Sequence, residues 1–243
     1  MNSIENNLCK RLKIHSGDFH PVVNCDPESE KIIQLDFTEK NKELEKIDFE
    51  NTEIFSQYIF TKLETENAKF GIGGYDEMRT VYSRSELFNS NLSGENQTVI
   101  EEPRRLHLGV DIWGKQGTEV FAPLDGTIHS FAFNDHFGDY GATIILSHRL
   151  EGIEFYTLYG HLCLKDIQDI KQGNRISRGH IIAHFGKPSE NGHWPPHLHF
   201  QIINDIGSFA GDYPGVCKLS EREIFLSNCP DPDLILNMKK FIN

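Results

Sequence analysis

No apolar run in the sequence approaches the roughly 20 residues that a membrane-crossing helix needs. The opening residues, MNSIENNLCKRLKIHSGDFHPVV, lack the apolar stretch of a secretory signal, so the expected compartment is the cytoplasm. A chain read after removal of a leader would instead be exported or periplasmic. Positive charge is scarce: 24 lysines and arginines stand against 36 aspartates and glutamates, a formal net charge of -12. Nucleic acid and anionic membranes are bound by basic footprints, so neither is expected as a partner. Cysteine is thin and unpatterned. Cys9, Cys25, Cys163, Cys217 and Cys229 are odd in number and form no C-x-x-C, which argues for reduced thiols over a disulfide frame. Internal repeats and low-complexity tracts are absent. The glycine-rich FGIGGYD lacks the G-x-G-x-x-G spacing and the strand–turn–helix setting of a dinucleotide site.

What is present is 243 residues, 38% of them hydrophobic, enough to bury a sizeable core in one large domain with or without an appendage. The texture changes near residue 100. Before it, KIIQLDF reads as a short strand, and TEIFSQYIFTKLETENA as a helix with Ile54, Tyr58, Ile59 and Leu63 on one face and GIGG as its stop. EMRTVYSRSELF reads as a strand and turn, and the polar stretch 89–98, NSNLSGENQT, as a loop or linker. From about residue 105, TEVFAPLDGTIHSFAF, GATIILSH, IEFYTLYGHL, RISRGHIIAHFG and HLHFQII are β-rich segments separated by turn signals. That spacing is the one of an antiparallel sandwich or barrel. SEREIFLSNCPDPDLILNMKKFIN adds one or two short helices at the end.

Twelve histidines are many, and three groups of them carry a pattern. LHLGVD puts His107 four residues before Asp111, YGHL ends a strand at His161, and HLH supplies His197 and His199. A strand alternates its faces with period two, so His197 and His199 point the same way. An aspartate with neutral imidazoles is a sensible ligand set for zinc, whose catalytic sites take three protein ligands and a water.

The order H-x-x-x-D, then Y-x-H-L, then H-L-H-F resembles the lysostaphin/LytM-type zinc metallopeptidases, which cleave peptidoglycan peptides. GTEVFAPLDGTI and DYGATIILSH between these motifs are similar to segments of the same family, so the resemblance covers about residues 105–203. It implies a mainly β fold: an antiparallel β-sandwich or hybrid-motif barrel of the LytM type over residues 101–243, with a C-terminal helical tail. Residues 1–100 would form an α+β N-terminal extension that covers or shapes the groove. It implies His107, Asp111 and His199 as zinc ligands, and His161 and His197 as the non-ligating catalytic imidazoles, one as base and one as oxyanion donor in an order the sequence leaves open. The implied activity is that of a zinc metalloendopeptidase acting through a metal-activated water on a small or peptidoglycan-derived peptide, with no covalent intermediate. The RRLHLGVD lead-in and the GDYPGV and CPDP segments resemble a branch of these domains also found fused to aminoglycoside-phosphotransferase-like and class III aminotransferase domains.

Other readings are weaker. A non-catalytic, zinc-containing binding module would keep the scaffold, but such modules usually lose ligands. FAPLDGTI alone also resembles lipoyl carriers, which need a nearby lysine, and the glucose-specific phosphotransferase carrier, which would not need Asp111. His148 reads as structural, Tyr140 and Tyr159 as packing residues, with Tyr140 also a candidate for the groove wall. The approach GKPSENGHWPPHLHF is bulky and stiff, which argues against a glycine-bridge specificity.

Overall fold

His-Leu-His-Phe-Gln-Ile-Ile alternates polar and apolar side chains, and residues His197–Ile203 form a strand in which all seven are buried. Leu198, Phe200 and Ile202 enter the main hydrophobic core, and the alternate positions face the other way. The rest of the fold is arranged around this strand. The computed structural model describes residues 5–26, 28–89, 92–93, 99–100 and 102–242.

In chain order the first strands are β1 (Lys31–Leu35), β2 (Ala68–Gly73), β3 (Glu77–Met78), β4 (Leu92–Ser93), β5 (Val99–Ile100), β6 (Leu106–His107) and β7 (Val110–Trp113). They continue as β8 (Glu119–Phe121), β9 (Gly126–Asn134), β10 (Gly141–Leu150), β11 (Ile153–Leu162), β12 (Arg175–Ile176), β13 (Ile181–His184), β14 (His197–Ile203) and β15 (Val216–Cys217). The helices are α1 (Glu5–Ile14), α2 (Thr52–Thr65), α3 (Arg222–Asn228) and α4 (Asp233–Leu236).

The fold is mainly β, as the sequence implied. Eight strands make one sheet in the order β1-β2-β7-β14-β11-β10-β9-β12. Its end strands do not pair with each other, so it is an open sheet and not the closed barrel offered as one form of the fold. Nor is it purely antiparallel: β1 runs parallel to β2, with α2 as their crossover, while the other pairs are antiparallel. Residues 31–73 thus extend the sheet that carries the histidine motifs. Among the described residues no helix is long and apolar enough to cross a membrane, and no two cysteines form a disulfide.

The helix expected in the extension forms, but its buried stripe is Phe55, Ile59 and Leu63, and Ile54 is 39% exposed. Phe55 turns the helix by one position because it finds Trp113 and Trp194, at ring distances of 5.7 and 6.2 Å. The helix stops at Asn67 in the left-handed region (φ 50°), which asparagine tolerates, and GIG joins β2 instead of acting as the stop. EMRTVYSRSELF yields only the two-residue β3 followed by 3-10 turns at Thr80–Arg84 and Glu86–Phe88. Most of the 89–98 stretch lies outside the described residues. The C-terminal helices pack back, with Ile235 and Leu236 in the core. His148 is buried in β10, bonded to the Asp125 carbonyl at 2.9 Å and to Thr157 Oγ1 at 2.7 Å.

Candidate metal centre

Strand pairing brings the first two candidate ligands together. β14 lies between β7 and β11, and His199 stands directly opposite Asp111 on β7 and Gly160 on β11. His197 stands opposite Trp113 and stacks on it, with ring centroids 3.9 Å apart and planes 15° apart. His107 comes from a second sheet, in the order β15-β6-β3. The chain bends at Leu108 and Gly109 between β6 and β7, and this bend, not a helix, sets the four-residue spacing to Asp111. Gly109 is needed there because a Cβ would sit 2.5 Å from the His199 ring and 2.9 Å from the Phe200 carbonyl. Gly109→Ala is therefore expected to push His199 out of line and weaken zinc binding by about 10-fold or more, measured by competition with a chelator.

His199 Nδ1 lies 3.0 Å from Asp111 Oδ1 and 3.0 Å from His107 Nε2, and His107 Nε2 lies 3.3 Å from Asp111 Oδ1. A tetrahedral zinc with bonds of about 2.0–2.1 Å holds its ligand atoms roughly 3.3 Å apart. The triangle fits that ion with a slight expansion.

The hydrogen bonds behind the triangle fix the tautomers. His107 Nδ1 donates to the Gly74 carbonyl at 2.8 Å, so its Nε2 carries a lone pair. Gln201 Nε2 donates to the Pro214 carbonyl at 3.1 Å, which turns its Oε1 toward His199 Nε2 at 2.9 Å. His199 therefore donates from Nε2 and presents a lone pair at Nδ1. Two imidazole lone pairs and a carboxylate oxygen converge on one buried point with no proton between them. That donor set suits a cation, and each imidazole is oriented by an outer acceptor as metal-bound histidines usually are.

Burial alone would raise the Asp111 carboxyl, but the adjacent His107 and Arg79 outweigh it and hold the group well below the ordinary carboxylate range. Burial pushes His107 down to about 4, and Arg79 acts in the same direction. Burial likewise lowers His197 to about 4, and with the neighbouring His197 it takes His161 well below 6.5. These three imidazoles are neutral near pH 7.

The two further histidines adjoin the triangle. His197 Nδ1 donates to the Pro195 carbonyl at 2.7 Å, and its Nε2 lies 4.0 Å from Asp111 Oδ1. His161 Nδ1 donates to the Asn191 carbonyl at 2.8 Å. The His161 and His197 rings are 4.1 Å apart. Simple alternation would send His161 to the core with Tyr159. A bulge between β10 and β11 and a left-handed backbone at His161 (φ 64°) turn it to the site face instead. Gly186 N and the Tyr140 carbonyl pin that conformation through bonds of 2.9 and 2.8 Å to the His161 backbone.

All five sequence-derived residues are thus gathered in one place. Asp111, His161, His197 and His199 line a cavity of about 220 Å³, with Tyr140 in its wall as the secondary reading of that residue anticipated. Tyr159 lies in the core; of the five histidines without motif context, each expected to face solvent, His136, His180 and His193 are exposed, while His129 and His184 are half-buried. The sequence reading missed Arg79, Gly74, Tyr82 and Gln201. Gln201 was visible as the next residue on the His197–His199 face; nothing local to EMRT marks Arg79.

Residues 105–209 match Peptidase family M23. Both the family model and the curated relatives support this LytM-type assignment. An "Uncharacterized metalloprotease" of Haemophilus influenzae is 37% identical over 138 residues, 54% of this chain and 27% of that protein. The "DD-carboxypeptidase/endopeptidase Mpg" of Neisseria meningitidis serogroup B is 33% identical over 129 residues, 53% of this chain and 26% of that protein. The chain spans about a quarter of the length of these relatives. Among solved structures, the catalytic domain of lysostaphin from Staphylococcus simulans is 24% identical, with 57% of this chain and 87% of that one covered and a TM-score of 0.34.

Proposed function

We propose that the chain is a zinc-dependent metallopeptidase that hydrolyses a peptide bond in a small or peptidoglycan-derived peptide. The observation that carries this reading is the convergence of three lone pairs, from His107, Asp111 and His199, beside two more neutral imidazoles on the same cavity. When bound, zinc supplies Lewis acidity toward a carbonyl and acidifies a water. The names of the Haemophilus and Neisseria relatives support a hydrolase, and the peptidoglycan substrate class enters from the resemblance of the motifs to the lysostaphin/LytM-type peptidases.

The chain's own residues divide the work. His107, Asp111 and His199 hold the metal. His197 and His161 each carry a proton on Nδ1, fixed by a backbone carbonyl, and keep a lone pair on Nε2. Either Nε2 can take a proton from the attacking water and pass it to the leaving amine; the other can donate to the developing oxyanion when its Nε2 has first taken a proton from solvent. Tyr82, Leu87 and Phe88 of the extension help to line the cavity. Residues 101–243 carry the five site residues, and residues 1–100 are the extension. The acidic charge accords with a cytoplasmic place of work, and an exported or periplasmic one stands beside it for a chain whose leader has been removed.

The reading is tested by metal content and by hydrolysis. Purified protein should carry about one zinc per chain and cleave short peptides or muropeptides, and His199→Ala should lose both. Absence of zinc after zinc has been offered would end the metallopeptidase reading. Zinc retained without hydrolysis would favour the non-catalytic binding module.

A further inference from the structure

We propose that segment 74–79 of the N-terminal extension completes the metal centre, with Arg79 as the residue that positions Asp111. The inference rests on the zinc reading above and goes beyond it, because these residues lie outside the matched segment 105–209.

Two of the three candidate ligands are oriented from this segment. Gly74 offers one carbonyl to two donors, His107 Nδ1 at 2.8 Å and Arg79 Nη2 at 3.0 Å. Arg79 Nη1 donates to Asp111 Oδ2. With that oxygen engaged, only Oδ1 faces the two imidazoles, so Asp111 is set to bind through a single oxygen. The remaining donors of Arg79 lock the guanidinium: Nε bonds Glu77 Oε2 at 2.7 Å, and Nη1 also reaches Tyr82 Oη at 3.3 Å. The residue is 2% exposed, with its guanidinium carbon 5.3 Å from the centre of the Phe37 ring.

Backbone pairing ties the same segment to the ligand strands. Gly73 stands opposite Asp111 across β2 and β7, and Glu77 stands opposite His107 across β3 and β6. Gly73 also leaves room for the guanidinium, since a Cβ there would meet Arg79 Nη2 at 2.7 Å. Two opposing effects act on a cation at this point. A buried positive charge beside Asp111 repels the metal, whereas the planar fork holds the carboxylate at one angle. Glu77 offsets the charge of Arg79, so orientation dominates.

The test uses the full chain and zinc itself. Metal-free protein is titrated with zinc against a chelator of known affinity, and cobalt is substituted so that its absorption reports ligand geometry. Arg79→Gln is expected to weaken zinc binding about 10- to 100-fold and to change the cobalt spectrum. Because Arg79→Gln leaves Glu77 buried without its cation, the double variant Glu77→Gln with Arg79→Gln serves as the folding-neutral partner, and the same weakening is expected in it. Folded double variant that binds zinc as tightly as the wild type, or more tightly, overturns the positioning role. A wild-type protein that takes no zinc overturns the metallopeptidase reading itself, so the two failures are distinguishable.

Discussion

Replacing His197 with alanine is expected to lower kcat on a cleaved peptide by about 10²- to 10⁴-fold while leaving zinc in place. The distances separate this histidine from the ligands. His199 Nδ1 lies 3.0 Å from Asp111 Oδ1, whereas the nearest approach of His197 is Nε2 at 4.0 Å. The ring is nonetheless held as tightly as a ligand, stacked on Trp113 and bonded to the Pro195 carbonyl. Rigid placement of a neutral imidazole beside the metal is what general-base work requires. His161→Ala should show a loss in the same range, again with zinc retained. Zinc analysis and kcat measured on the same preparations decide the matter. Loss of zinc in His197→Ala would make that residue a ligand; unchanged kcat would remove it from the reaction.

Metal-free protein is expected to lose stability steeply as the pH falls from about 6.5 to about 4. His107, His148 and His197 are all buried and each is lowered from 6.5 to about 4, chiefly by burial. Between those two values the unfolded chain binds protons that the folded chain refuses, so stability rises with pH across the window and falls on acidification. Each such histidine adds a slope of about 1.4 kcal/mol per pH unit, or about 3 kcal/mol over the whole window. Urea unfolding at several pH values in the presence of a chelator measures this slope. His148 isolates the effect from the metal centre, since its partners are the Asp125 carbonyl and Thr157. His148→Gln should reduce the slope by one proton. An unchanged slope would mean that His148 is protonated in the folded state.

The site was more legible in the sequence than the scaffold around it. His197 and His199 could be placed on one strand face because period-two alternation is a local property of an extended backbone. Motif order then joined His107, Asp111 and His161 to them, and the structure brings the five together. The α2 stripe was misplaced by one position because periodicity alone does not say which aromatic ring will find Trp113 and Trp194. The closed barrel failed for a related reason. Strand count and spacing do not reveal whether the first and last strands meet, and here β1 and β12 are the two edges.

By itself the sequence determined the mainly β class, the absence of a membrane-length helix, and the identity of five chemically matched side chains. These follow from composition, alternation and motif spacing, which act over a few residues. Tertiary structure alone decided that β1 and β2 join the sheet of the segment that matches Peptidase family M23, that a bulge turns His161 away from the core, and that Arg79 reaches Asp111 across 32 positions of chain. Those outcomes depend on which distant strands pair and which buried charge finds its partner, and no local pattern encodes either.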